Sequence, residues 1–108
     1  QLISNGPLWL RYKCRRLRYG HRCQEQWGFH GTPDASLQAI IQSGFEIGGE
    51  GVPVRNGATY GQGVYLANSP RLSMDFSNGQ MIMARFFVNG GTAHRDAWVV
   101  GNKEDVYP

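Results

Sequence analysis

A histidine, a glycine and a threonine stand side by side at His30, Gly31 and Thr32, where a short run with strand periodicity ends. An imidazole donates and accepts hydrogen bonds, and a glycine lets a ligand come close to the main chain. Nine of the 15 glycines fall between Gly28 and Gly63. That density without repetition indicates a backbone that turns tightly or approaches a ligand. The sequence therefore predicts a ligand cleft near residue 30.

A second group of residues with possible binding chemistry follows along the chain. The motif YGQGVYLA at residues 60–67 includes Tyr65, in a segment that we predict to be a short strand. Ser73 and Phe76 are three residues apart, so they share one face of the helix predicted after Ser69. Taken singly, a histidine or tyrosine of this kind is more often a core residue than a ligand-binding one. The order in which these residues follow one another along the chain favours a ligand-binding site over a set of unrelated core residues.

The remaining patterns predict an α+β protein. Residues 8–17 form an amphipathic helix or an extended arm. A helix begins at the Thr32-Pro33 pair and ends at Gly44. Residues 46–63 form a long loop, and residues 81–88 form a central strand that is apolar on both faces apart from Arg85. Because strands and helices alternate without a repeating β-α-β unit, the order favours an α+β fold. Strands are predicted at residues 27–30, 63–67, 81–88 and around 98–100.

Length and composition limit the class of protein. With 108 residues, of which 41% are hydrophobic and 18% charged, we expect one globular domain over residues 1–108. No apolar run is long enough for a membrane span or a signal peptide. The first residue is Gln1, so we expect a piece of a longer protein. Two cysteines, Cys14 and Cys23, fit reduced thiols in the cytoplasm or nucleus. A zinc site with His21 lacks a fourth ligand at usual spacing, so no metal is expected.

Basic residues are concentrated near the beginning of the chain. Six lysines and arginines precede the first acidic residue, Glu25, whereas the rest of the chain has five bases and eight acids. With Tyr12 and Tyr19 among them, the segment Arg11 to Arg22 has the composition of a nucleic-acid contact. A basic helix face in water is the simpler interpretation.

The two motifs, in this order and with Ser73 downstream, resemble the catalytic domain of the poly(ADP-ribose) polymerase family. The resemblance begins near Leu8-Trp9 and extends to Val106-Tyr107-Pro108. It implies an ADP-ribosyltransferase-like α+β fold, with two small, mostly antiparallel sheets and a cleft for NAD as substrate. It also implies transfer of ADP-ribose to an acceptor, which we expect to be a protein.

The same resemblance implies a role for each motif residue. Main-chain atoms of Gly31 hold the nicotinamide carboxamide, and the Ser73 hydroxyl donates to the same amide. Tyr65 lies against the nicotinamide ring, and Phe76 stands where a second aromatic residue encloses it. His30 binds the ribose on the adenine side. The NAD-binding residues implied in this way are His30, Gly31, Thr32, Tyr65, Ser73 and Phe76.

One position departs from the family pattern. Polymerising members carry a third catalytic residue, a glutamate, and counting back from Tyr107-Pro108 places it at Ala97. Alanine has no side chain that accepts a proton. Asp96 points to the opposite face of a strand, and Glu104 lies too far along the chain. The resemblance then implies a mono-ADP-ribosyltransferase. The alternatives are an inactive module that binds NAD or ADP-ribose and a nucleic-acid-directed transferase or binder.

Overall fold

A computed structural model describes residues 5–32, 34–47, 62–69, 81–95 and 97–108. These residues form two α-helices and six β-strands, with short 3-10 turns between them. The elements in chain order are α1 (Gly6–Tyr19), β1 (Glu25–Gly31), α2 (Asp34–Ser43), β2 (Val64–Ala67), β3 (Met81–Phe87), β4 (Gly91–Ala93), β5 (Ala97–Val100) and β6 (Val106–Tyr107). The predicted α+β class is confirmed.

All six strands belong to one antiparallel sheet with the order β4-β5-β2-β1-β3-β6. The resemblance implied two small sheets, and this detail is corrected. Seven residue pairs join β1 to β3, and four join β2 to β5. Between β1 and β2, both fully described, the ladder has the single pair Phe29–Ala67. The sheet therefore consists of two three-stranded halves that meet at one pair.

The main core lies on one face of this sheet, under α2. Side chains alternate along a strand, so Leu66, Ile82 and Phe86 all point to the same face. They pack with Ile40 of α2 and with Phe45 just after it, and all five are buried. α2 ends as predicted at Gly44, whose positive φ of 85° suits glycine. Its amide donates to the Ile40 carbonyl oxygen at 2.8 Å.

The helix α1 packs against the other face of the β1-β3-β6 half. It begins at Asn5, whose side chain accepts a hydrogen bond from the amide of Leu8 at 3.1 Å. Tyr12 is 0% exposed and stacks on Phe87, with ring centroids 4.2 Å apart. The observed helix Gly6–Tyr19 decides between the two predictions for this segment in favour of the helix. The burial of Tyr12 also corrects the role considered for this residue, because a buried ring cannot stack on a nucleic-acid base.

A buried ion pair fastens α1 to the 3-10 turn Lys103–Asp105. Asp105 is 1% exposed, and Arg15 Nε donates to its Oδ1 at 2.8 Å. The Tyr19 hydroxyl donates to Oδ2 of the same carboxylate at 2.8 Å. Gly90 lies so close that an added Cβ would meet Oδ2 at 2.0 Å. The turn can therefore reach α1 only because residue 90 has no side chain.

Several details of the predicted elements change in the structure. The two faces of β3 are not equally buried, because Met81 and Met83 are exposed on the face where Phe87 is buried under α1. The short strands β4 and β6 were not predicted. The predicted helix at residues 70–79 and most of the predicted loop at residues 46–63 lie outside the described residues. No helix within the described ranges is long and apolar enough to cross a membrane.

We predict that Gly90→Ala destabilises the fold, because its methyl group would force Asp105 away from Arg15 and Tyr19. Overpacking at a filled site costs about 1–3 kcal/mol, which lowers the melting temperature by roughly 4–8 °C per kcal/mol in a domain of this size. Thermal unfolding followed by circular dichroism measures this. Gly101→Ala is the matched control, since its Cβ would meet nothing within 4 Å. Equal melting temperatures for both variants would contradict the packing described.

Candidate active site

The described motif residues lie on three neighbouring strands in the middle of the sheet. His30 and Gly31 end β1, Tyr65 lies in β2, and Ala97 begins β5. Ala97 pairs with Ala67, which in turn pairs with Phe29. The structure thus brings the first motif, the second motif and the glutamate position together, although they are far apart in sequence. Ser73, Phe76 and Asp96 lie outside the described residues, and their roles stay predictions.

A side-chain hydrogen bond links the first motif to the second. His30 Nδ1 lies 3.0 Å from the carbonyl oxygen of Tyr65. A carbonyl oxygen only accepts, so Nδ1 carries the proton and donates. In the neutral ring Nε2 then has a free lone pair and is a hydrogen-bond acceptor. The bond therefore fixes both the tautomer and the orientation of the imidazole.

The surroundings of His30 favour this neutral form. Its ring packs edge-on against Phe45, with centroids 4.8 Å apart. Burial lowers the pKa of His30 below its ordinary value of 6.5, and the hydrogen bond to the Tyr65 carbonyl opposes this only in part. At neutral pH the ring is therefore uncharged, with Nε2 ready to accept a hydrogen bond.

The two strands come close on one side of the Phe29–Ala67 pair and lose their pairing on the other. An added Cβ on Gly28 would meet Leu66 Cβ at 2.8 Å, so residue 28 must be glycine for this contact to form. The ladder does not continue to Gly31, two residues further along β1. At that point the Tyr65 carbonyl accepts from the His30 side chain. The β1-β2 ladder therefore ends before Gly31, which pairs with Met81 of β3 on its other side.

The register also determines which side chains share a face. Counting on from Phe29–Ala67, Gly31 and Tyr65 fall on one face of the sheet and His30 on the other. The His30 ring is thus on the side of Phe45 and the core, whereas Tyr65 is half-buried on the opposite side. Gly31 and the Tyr65 side chain therefore share one face of the junction, and the His30 side chain lies on the other.

Thr32 and Ala97 complete the described positions. Thr32 is buried, 2% exposed, directly after the strand. Ala97 is half-buried, and its carbonyl oxygen accepts from the amide of His94 at 2.8 Å. Its methyl side chain offers neither a proton acceptor nor a charge. Ala97 therefore cannot supply the third catalytic group that the resemblance predicts at this position.

The cysteines and histidines of the described part do not gather around a metal. No group of three His, Cys, Asp or Glu side chains in that part is arranged to hold an ion. Cys14 is exposed, Cys23 is half-buried, and both are free thiols. Burial raises the pKa of Cys23, which favours its protonated form.

Comparison with family models gives the class of protein. The model of the poly(ADP-ribose) polymerase catalytic domain matches residues 1–88, most of the chain. The chain belongs to the poly(ADP-ribose) polymerase catalytic domain family. Catalytic domains of this family use NAD as substrate. The match ends before Ala97, so it does not test the glutamate position. A search of curated proteins found no match.

Two features of the poly(ADP-ribose) polymerase site were missed in the sequence. The sequence predicts no role for Phe45, yet its ring packs against His30. The position of Phe45 directly after Gly44, where α2 ends, could have indicated that its ring packs near the site. The hydrogen bond from His30 to the Tyr65 carbonyl oxygen could not be predicted, because the sequence of side chains does not show where main-chain carbonyl groups lie.

We predict that His30 makes folding stability sensitive to acid. Since its pKa is lowered in the folded protein, the unfolded chain binds the proton more readily, and stability falls as the pH drops below about 6.5. His30→Asn keeps an N–H near the position of Nδ1 but does not titrate. Denaturant unfolding between pH 7 and pH 5 should therefore show a smaller loss in His30→Asn than in the unsubstituted protein. The control His21→Asn changes an exposed ring and should behave like the unsubstituted protein; a loss in His30→Asn as large as in that protein would refute the assignment.

Proposed function

We propose that this chain is a mono-ADP-ribosyltransferase, which cleaves NAD between nicotinamide and ribose and transfers one ADP-ribose to a protein acceptor inside the cell. The observation that carries the proposal is the junction of β1 and β2. There the ladder stops before Gly31, and His30 donates to the Tyr65 carbonyl across the gap. Family membership supplies the substrate, and this junction is where the motif residues meet.

The described residues suit the parts of NAD that the family binds. The acceptor Nε2 of neutral His30 would take a hydrogen bond from a ribose hydroxyl. On the side of β1 that faces β2, where the ladder has ended, Gly31 would offer main-chain atoms to the carboxamide without a side chain in the way. Tyr65 would lie against the nicotinamide ring. Ser73 and Phe76 keep the same predicted roles at the other sides of that ring.

The proposed reaction needs positioning more than acid or base groups from the protein. Nicotinamide is a good leaving group, and it departs with the electron pair of the C–N bond as an oxygen of the acceptor bonds to the ribose carbon. A carboxylate acceptor is already ionised near neutral pH, so no proton has to be removed from it. Gly31 and Tyr65 would hold the nicotinamide end of the bond being broken, and His30 would orient the rest of the dinucleotide from the ribose on its adenine side.

Ala97 is the reason for proposing a single transfer. Extension of a chain requires a ribose hydroxyl to attack, and such a hydroxyl must lose a proton to a nearby base. The methyl group of Ala97 cannot take that proton. A carboxylate acceptor avoids this requirement, and the reaction then stops after one ADP-ribose.

A second candidate function is binding of NAD or ADP-ribose without catalysis. The same observation favours it, because the glutamate that helps to hold the ribose in polymerising members is absent at Ala97. In this case the junction at His30 would retain the ligand without breaking it. The two candidates share the site and differ only in whether nicotinamide is released.

The deciding experiment incubates the protein with NAD labelled in the adenylate part, together with an acidic protein mixture as acceptor. Label transferred to protein as single ADP-ribose units, with release of nicotinamide, is the expected result. Binding of labelled NAD without either product would support the binding module. Neither binding nor product from folded protein would refute both candidates.

Ala97→Glu should restore the missing group. We predict that this variant hydrolyses NAD faster or extends ADP-ribose chains, because a carboxylate at this position can hold a ribose hydroxyl and accept its proton. Ala97→Gln is the control, with the same length and no charge. Release of nicotinamide and the length of the products are measured by chromatography. If Glu and Gln behave alike, residue 97 does not occupy the third catalytic position.

Tyr65→Ala should weaken NAD binding by removing the ring that faces nicotinamide. Aromatic contacts contribute about 0.5–1.5 kcal/mol beyond burial, so the dissociation constant should rise by roughly threefold to tenfold. Tyr65→Phe keeps the ring and should bind nearly as well as the unsubstituted protein. Isothermal titration with NAD measures both. Equal weakening in the two variants would show that the hydroxyl, and not the ring, is what binds.

A further inference from the structure

The helix α1 has an outer face that the domain leaves uncovered. Leu10 is 65% exposed and Leu17 is 81% exposed, and Cys14 between them is also exposed. Spacings of four and three residues put these side chains in one line along the helix. Lys13 and Arg18, both exposed, flank the line. These five residues define the outer face of α1.

The inward side of the same helix has its partners within the domain. Arg15 binds Asp105, and Arg16 Nε donates to Glu25 Oε1 at 2.8 Å. Tyr12 is packed on the sheet. The basic residues of α1 are thus of two kinds. Arg15 and Arg16 form ion pairs with carboxylates, and Arg11 donates to the Lys103 carbonyl oxygen, whereas among the described residues no carboxylate forms an ion pair with Lys13 or Arg18.

The outer face has the pattern of half of a two-helix interface. In a heptad, Leu10, Cys14 and Leu17 take the positions d, a and d, which form the apolar seam of a coiled coil. Lys13 then takes position g and Arg18 position e, whose charges select the partner helix. Both flanking charges are positive. Tyr12 falls at position f, opposite the seam, in agreement with its burial against the sheet.

We propose that the outer face of α1 docks an acidic amphipathic helix of a partner protein. Such a helix would place apolar residues on Leu10 and Leu17 and carboxylates beside Lys13 and Arg18. A second copy of this face does not fit, because like charges would meet along both flanks. Nucleic acid would leave the two leucines without apolar contacts. A bilayer would gain only two large apolar side chains, few for an interfacial helix.

The length of the face determines how strong this docking can be. The seam from Leu10 to Leu17 covers two turns of α1, a small part of a stable coiled coil. We therefore expect reversible binding that weakens with salt, since the flanking charges are exposed. The surface is independent of the junction at His30, so it does not depend on the proposed enzyme function.

The test uses a designed three-heptad peptide with Leu at positions a and d and Glu at positions e and g. Its own glutamates keep it from pairing with itself. A matched peptide has Lys instead of Glu. Fluorescence anisotropy with the whole chain should show that the Glu peptide binds at least about tenfold more tightly than the Lys peptide, a difference of about 1.4 kcal/mol.

Three variants locate the binding surface. The double variant Leu10→Gln with Leu17→Gln should weaken binding of the Glu peptide by at least about tenfold, because both apolar contacts of the seam would be lost. Arg18→Glu should weaken the Glu peptide and strengthen the Lys peptide. The control Arg95→Glu makes the same charge change at an exposed residue between β4 and β5 and should leave the preference unchanged. All four side chains are exposed, so the fold should persist, and circular dichroism checks this.

Several outcomes would overturn the proposal. These are the absence of peptide binding, equal binding of both peptides, or binding that survives the leucine double variant. Vesicles of phosphatidylcholine with phosphatidylserine and single-stranded polyuridylate are tested in parallel. If either binds more tightly than the Glu peptide and loses that binding in the leucine double variant, the face belongs to a membrane or to nucleic acid instead.

Discussion

The hydrogen bond from His30 Nδ1 to the carbonyl oxygen of Tyr65 is the contact on which the candidate site depends. It lies where the halves of the sheet meet, and Phe29–Ala67 is the one ladder pair between β1 and β2. The bond fixes the imidazole tautomer, holds the second motif against the first, and does so without closing the strands at Gly31. If the β1-β2 ladder continued past Phe29–Ala67, the main-chain groups of Gly31 that face β2 would be used in strand pairing and could not bind the amide of the proposed ligand.

The packing around this contact explains how an unpaired junction remains stable. Gly28 lets Leu66 approach β1 closely, and Leu66 belongs to a core that includes Ile82 and Phe86 from the other half of the sheet. Hydrophobic contacts beneath the sheet therefore join the halves where backbone pairing does not. The proposed ligand contact at Gly31 is compatible with this packing, because side chains rather than a longer β1-β2 ladder join the two halves.

The proposed site is better equipped for binding than for catalysis. The predicted positioning groups lie on β1 and β2, whereas the predicted glutamate position on β5 holds Ala97. Such a site fits a reaction in which the leaving group and the acceptor need little help from acids or bases. The chemistry of the acceptor then limits the product, because a carboxylate can attack without a base and a sugar hydroxyl cannot.

The sequence predicted the elements with strong local signals and missed those that depend on distant partners. The helix ending at Gly44 and the strand at residues 64–67 have caps, glycines and apolar spacing that can be recognised locally. The strands β4 and β6 have three and two residues, so they exist only through their pairing with β5 and β3. Tyr12 was considered as a surface residue because its neighbours are basic, and only the position of Phe87 explains its burial.

The positions of the three tryptophans have a practical consequence. The guanidinium of Arg85 lies 5.8 Å from the Trp9 ring and 5.5 Å from the Trp27 ring, between α1 and β1. Trp98 of β5 instead packs against Phe86 of β3, 5.6 Å between centroids, and so spans the two halves of the sheet. Indole emission depends on the surroundings of the ring. In variants that keep a single tryptophan, the fluorescence of Trp9 or Trp27 would therefore report the packing of α1 on the sheet. The fluorescence of Trp98 would report separation of the two halves of the sheet.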